Sequence, residues 1–162
     1  GCHGGFYDNS LSYFINNSLI LEDNYKYKAV EGLCQYKSII KQNIFIEDFD
    51  VFLSDKHPRS KLFSMIKKGP VGIGVEANDD WFDYSNGIFN GECNGEQNHA
   101  VTLIGFGYEN EDKKTSGYWI IRNSWGKHWG EKGHIKIKMD PKNNLSCNVE
   151  KLAFQPTKFK FK

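Results

Sequence analysis

His99 and Asn123 are the two residues of this 162-residue chain whose types and surroundings could do chemistry together. His99 stands between the polar, glycine-containing turn "NGEQN" and the apolar stretch "AVTLIGF", where a side chain can project into a cleft. Imidazole gains and loses a proton near neutral pH, but to move protons usefully it needs a partner that fixes its tautomer and ring orientation. A lone histidine in such a place is more often structural than catalytic. Asn123 shifts that weighing, because it ends a second apolar stretch and is followed at once by Ser124 and Trp125. A buried Asn must spend its hydrogen bonds somewhere, and Trp125 could cover an Asn–His bond against competing water. The pattern suggests proton transfer without deciding it. Gly4 and Gly5, taken alone, mark only a tight turn.

The elements that must hold these residues follow from periodicity. Tyr7, Leu11, Phe14, Ile15 and Leu19 fall at helical spacing and predict a helix over 6–20. A second helix is predicted over 60–68, with Leu62, Phe63 and Ile66 on one face and Gly69-Pro70 stopping it. After Pro70 the pattern changes. Val71, Ile73 and Val75 alternate, and 100–106, 118–121 and 135–139 read as further strands. The chain is therefore α+β, a helical opening followed by a strand-rich portion, divided near 45–58. The tail "TKFKFK" reads as an edge strand guarded by lysines.

Composition narrows the function classes. Lys+Arg at 21 nearly balance Asp+Glu at 20, for a formal charge of +1, which gives no general attraction to nucleic acid. No apolar run is long enough for a membrane-spanning helix. Cys2, Cys34, Cys93 and Cys147 are widely spaced without a C-x-x-C pair, so no metal site is expected. Free thiols in a reducing compartment and disulfides in an oxidising one both remain open from the spacing. Asn16 and Asn144 head N-x-S sequons and are glycosylation candidates. His3, His57, His128 and His134 have no identifiable partner and read as surface or loop residues.

Six stretches, in order, resemble the papain family of cysteine proteases, which includes the cathepsins. They are "GCHGG", "NYKYKAVEGLCQY", "KKGPVGIGVEA", "NGIFNGEC", "NHAVTLIGFG" and "NSWGKHWGEKGHIKI", and they span almost the whole chain. The Cys-His-Asn arrangement is taken from that resemblance and not from spacing. It implies a two-domain fold, with residues 1–45 completing the helical domain and 46–162 forming an antiparallel, barrel-like domain that bears the site. It makes His99 the general base and acid and Asn123 the residue orienting its ring, with Trp125 shielding their bond. Gly4 and Gly5 would offer backbone to an extended peptide. Gly74, Ala100 and Leu152 align with the pocket for the residue two before the cut, implying an apolar pocket of some depth; Asn98 stands beside His99, where many members have Asp. Lys26 replaces the Pro of the usual Tyr-Pro-Tyr.

The same resemblance exposes a gap. None of the four cysteines stands in the C-G-[SA]-C-W context of the nucleophile. That Cys lies roughly 130–150 residues before the histidine, hence about 30–50 residues before Gly1. "GCHGG" is then an interior motif, the expected partners are an N-terminal segment of the same protease and a peptide or protein substrate, and no cofactor is implied. By resemblance Cys93 pairs with Cys147, while Cys2 and Cys34 await partners upstream; disulfides in turn imply a lysosomal, vacuolar or secreted protein. The chain alone should not hydrolyse peptides. The alternative is a papain-fold protein serving as a structural or binding subunit, although such a relative has no chemical need to keep both His99 and Asn123.

Overall fold

The computed structural model describes residues 3–110, 115–139 and 146–161; Cys2 and Asn144 lie outside them. The elements are α1 (Tyr7–Asn16), β1 (Ile44–Leu53), α2 (Arg59–Lys68), β2 (Val71–Val75), β3 (Ile88–Phe89), β4 (His99–Asn110), β5 (Thr115–Arg122), β6 (His134–Lys138) and β7 (Leu152–Phe161). Short 3-10 turns occupy Asp79–Trp81 and Ser146–Asn148. The strands join in the order β1-β7-β2-β4-β5-β6-β3, so the architecture is α+β, as the sequence predicts. The chain divides into two compact units, Gly1–Asp50 with Pro156–Lys162, and Val51–Gln155.

In the first unit α1 is shorter than its apolar periodicity predicts. Asn17 stops it, with backbone at φ −125° and ψ 136°. Its N–H and its Nδ2 both donate to the Tyr13 carbonyl, at 3.1 and 2.9 Å. A side-chain amide that competes for the helix's own acceptors ends the helix there. Leu19, expected on the helix, instead donates its N–H to the Ile44 carbonyl at 2.7 Å. Strand β1 was not predicted, because Glu47, Asp48 and Asp50 interrupt its alternation.

The second unit holds the main core. Val71, Ile73 and Val75 of β2 face inward, and Val71 and Ile73 lie across from Leu103 and Val101 of β4. Trp119 and Ile121 of β5 lie across from Ile137 and Ile135 of β6, all four at most 1% exposed. Helix α2 covers this layer with Leu62, Met65 and Ile66, and Phe63 packs against Phe106 and Trp119 at 4.7 and 5.2 Å. At the C-terminal end of α2 the Met65 and Gly69 carbonyls both accept from Nε2 of buried Gln155, each at 2.9 Å. Arg59, at the other end of α2, pairs with Glu150 at 2.5 Å, and Glu150 also accepts from Trp119 Nε1 at 3.2 Å. A carboxylate this buried is tolerable because it is both paired and hydrogen-bonded.

The short strand β3 is tied down by one side chain. Glu131 accepts from Gly87 N–H at 2.9 Å and from Lys136 Nζ at 2.8 Å. The Lys136 bond, helped by Gly87, holds its pKa below the 4.5 of free glutamate, and Lys136 is raised above 10.5 by the same bond. A depressed carboxylate stabilises the fold fully above its unfolded pKa and loses that contribution as pH falls through the folded value. A raised lysine contributes below about 10.5 and is lost as pH climbs past its folded value. The clamp is thus whole between the two limits. Urea midpoints of the intact protein should fall below about pH 4.5, and Glu131→Gln should flatten that acid limb while costing roughly 0.5 kcal/mol at pH 7.

Candidate active site

His99 opens β4, and β4 pairs antiparallel with β5, with Thr102 opposite Arg122. That register brings Asn123, the residue after β5, to the same end of the sheet as His99. His99 Nε2 lies 2.8 Å from Asn123 Oδ1. The same Oδ1 accepts from the Ser124 N–H at 2.7 Å, so a backbone donor sets the amide's orientation. An amide oxygen can only accept, which assigns the ring proton of neutral His99 to Nε2. Nδ1 remains for proton transfer. Asn123 is only 8% exposed, its N–H donates to Gly133, and its Nδ2 is buried without a partner among the described residues.

Aromatic rings enclose this bond. Trp125 tilts over His99 at 5.2 Å between ring centroids. Trp81, which the sequence reading did not single out, meets His99 edge-on at 6.4 Å and stacks on Trp129 at 6.2 Å. Trp129 Nε1 in turn donates to the Trp81 carbonyl at 2.7 Å. Trp81 sits in "NDDWFDY" on a three-residue turn, so no periodicity announced it. Excluding water strengthens the Asn–His bond, since a bond in a low-dielectric site faces no competing donors. The loop from Trp125 to Gly133 can fold beneath these rings because its glycines take left-handed backbone. Gly130 is at φ 54°, and a Cβ there would come 2.5 Å from the His134 carbonyl.

The turn before His99 is anchored from several sides. Cys93 and Cys147 form a disulfide. Buried Glu76 accepts from Gly95 N–H at 2.6 Å, and Asn148 Nδ2 donates to Gly95 O at 2.9 Å. Asn98 spends its side chain on Ala77, accepting from its N–H at 2.8 Å and donating to its carbonyl at 3.2 Å. Gly74 and Ala100 are register partners, and Leu152 opens β7, whose next residue, Ala153, pairs with Ile73. The structure therefore groups these three positions. It also places Gln97 there: its Nε2 donates to Gly74 O at 2.7 Å and to Asn148 O at 3.1 Å. The carboxamide fills the space of a Gly74 side chain, 2.9–3.1 Å from where a Cβ would stand.

The remaining candidates belong to the first unit. Gly4, at φ 82°, and Gly5 are exposed with open space around them. Cys34 is an exposed free thiol, and Asn16 is exposed in the last turn of α1. Three of the other histidines have neighbours the sequence did not reveal. His3 meets Glu31 at 3.3 Å, and His57 Nδ1 and His134 Nδ1 lie 3.1 and 3.2 Å from Leu53 N and Glu131 O. Among the described residues no three His, Cys, Asp or Glu side chains gather around a point, and no helix is long and apolar enough to cross a membrane.

Comparison with known proteins agrees over nearly the whole chain. The family model for papain family cysteine proteases matches residues 1–157. Zingipain-2 of Zingiber officinale is 32% identical over 98% of this chain and 70% of its own length. Fruit bromelain of Ananas comosus is 33% identical over 97% of this chain but only 44% of its own length. The chain thus spans from under half to about 70% of these two relatives. The structure of bromelain from Ananas comosus, solved with the E64 inhibitor, superposes with a TM-score of 0.84 at 31% identity, covering 97% of this chain and 71% of that one.

The Asn123 geometry predicts a definite tautomer. Nitrogen-15 NMR of the intact protein with the His99 ring neutral should show the proton on Nε2, and Asn123→Ala should restore tautomer exchange. An Nδ1-protonated ring would contradict the assignment.

Proposed function

The chain belongs to the papain family of cysteine proteases, and on that premise we propose that it carries the proton-transfer half of a cysteine peptidase's active site. His99 is the general base and acid, and Asn123 orients its ring. The observation that carries this reading is the 2.8 Å Nε2–Oδ1 bond, which leaves Nδ1 for the reaction. The nucleophilic cysteine belongs to a segment upstream of Gly1. Cys93 and Cys147 are joined in a disulfide and offer no thiolate, and neither Cys2 nor Cys34 has the sequence context of the nucleophile.

In this mechanism His99 Nδ1 takes the thiol proton, giving an imidazolium–thiolate pair. Sulfur attacks the peptide carbonyl carbon. As the tetrahedral intermediate collapses, the C–N bond breaks and Nδ1 hands its proton to the departing amine, leaving an acyl thioester. Water then attacks the thioester while Nδ1 accepts its proton, and the thiolate is released again. Throughout, Asn123 holds the ring in one plane and Trp125 limits the water that could loosen it. Gly4 and Gly5 offer backbone to the extended substrate. Gly74, Ala100 and Leu152, with Gln97 among them, line the pocket for an apolar residue two before the cut, and Asn98 borders His99.

Residues 1–45 form part of the helical domain and 46–162 the domain bearing the site. The disulfide and the sequons at Asn16 and Asn144 suit an oxidising lumen, whether lysosomal, vacuolar or extracellular. Cys2 and Cys34 take partners in the upstream segment.

In the intact enzyme His99→Ala should lower kcat/KM toward a peptide substrate on the order of 10²–10⁴-fold. Asn123→Ala should lose less, because the imidazole remains and only its orientation suffers. The 162-residue polypeptide without upstream sequence should show no turnover. Wild-type rates in His99→Ala, or turnover by the chain alone, would overturn the assignment.

A further inference from the structure

We propose that Trp81 is a positioning residue for the reaction: its buried indole braces the His99 imidazole against the turning that the Asn123 bond leaves free. The inference rests on the reading of His99 as the general base and acid.

Among the described residues two rings lie against His99. Trp125 is tilted 35° from the imidazole plane and is itself only half-buried. Trp81 meets the imidazole at 88°, with centroids 6.4 Å apart, and is fully buried. The same indole lies against Trp125 at 6.3 Å, Trp129 at 6.2 Å and Phe89 at 6.1 Å. Trp81 is therefore a common support for the imidazole and for the ring that covers it. Its backbone is fixed in turn. The Trp81 N–H donates to the Asn78 carbonyl at 3.1 Å, and its own carbonyl accepts from Tyr84 N–H at 3.3 Å as well as from Trp129. Asn78 Nδ2 donates at 2.8 Å to the carbonyl of Glu92, the residue before the disulfide-bonded Cys93. One feature argues against packing as the whole role: Trp81 Nε1 is buried with no hydrogen-bond partner among the described residues. A stranded donor costs stability, and a position selected for stability alone is better filled by a side chain without one. What the indole adds is reach, since one flat side chain spans four rings.

The need for such a brace follows from the shape of imidazole. The ring is held at one end by its bond to the backbone and at the other by the 2.8 Å bond from Nε2 to Asn123. Nδ1 lies to one side of the line joining those two points, so turning about that line swings it. Nδ1 is the atom that must meet the thiol proton and then the departing amine. A misplacement of about 1 Å there costs on the order of 100-fold in rate. A hydrogen bond to Nε2 resists this turning weakly, whereas a rigid ring packed across the imidazole removes it before substrate arrives. Trp81 could instead be core filling only. Core filling is satisfied by any apolar side chain of adequate bulk, whereas a brace needs a flat, stiff one.

The test compares Trp81→Phe with Trp81→Leu in the intact protease, once thermal midpoints show each to be folded. Trp81→Phe keeps a flat ring and should hold kcat toward a peptide substrate within about threefold of wild type. Trp81→Leu should lower kcat about ten- to a hundredfold while KM stays within about twofold. Nitrogen-15 NMR with the His99 ring neutral should show the single Nε2-protonated form in the wild type and in Trp81→Phe, but both tautomers in Trp81→Leu. If the leucine variant does not fold, Trp81→Met, whose flexible chain fills irregular space, takes its place with the same expectations. Equal kcat in the ring-bearing and aliphatic variants, or a single tautomer in the aliphatic one, would reduce Trp81 to core filling and overturn the proposal. A wild type that cleaves neither the peptide nor denatured casein would remove the peptidase reading. The tautomer comparison needs no turnover and would still decide whether Trp81 positions the ring.

Discussion

Antiparallel pairing of β4 with β5, with Thr102 opposite Arg122, places His99 and Asn123 at one end of the sheet. What holds the pairing is the core. Val101 and Leu103 on β4 and Trp119 and Ile121 on β5 are all at most 4% exposed. A slip of one residue would turn a whole strand's inward set to solvent. The bulge between Leu103 and Gly105 marks how tightly this matters: one extra residue, Ile104, lets Phe106 return inward against Phe63. Ordinary hydrophobic alternation thereby sets the distance between a proton-transfer residue and its orienting partner.

Orientation within that register depends on where Asn123 Oδ1 receives its bonds. Ser124 N–H and His99 Nε2 converge on one oxygen, at 2.7 and 2.8 Å. The backbone donor prevents the amide from flipping, and the amide prevents the ring from turning. The rings of Trp81, Trp125 and Trp129 then keep the pair half-dry, which makes the bond worth more than it would be in water. The turn carrying His99 is held independently, by the Cys93–Cys147 disulfide and the Glu76 and Asn148 bonds to Gly95.

Much of this was legible in the linear pattern. The α+β order, helix α2, and the cores of β2, β4, β5 and β6 follow from periodicity, and Gly69-Pro70 marks the end of α2. The errors have local causes. Helix α1 stops early because Asn17 takes the Tyr13 carbonyl twice over, and an amide's choice between backbone and water leaves no trace in apolar spacing. Strand β1 is not signalled by alternation because acidic residues share its length with Ile46 and Phe52, which are buried.

His99 and Asn123 could be nominated as a pair from residue type and from the strand ends on which they stand, and the six family motifs carried the fold. Those are properties of the chain order, and they survive without coordinates. Which histidine nitrogen faces the chemistry, the packing of Trp81 under the imidazole, the turning of Asn98 toward Ala77 and the filling of the Gly74 space by Gln97 were decided only in three dimensions. Each depends on residues far apart in sequence meeting at van der Waals or hydrogen-bonding distance. Such meetings are set by strand register and side-chain rotamer, which residue type and spacing constrain but do not specify.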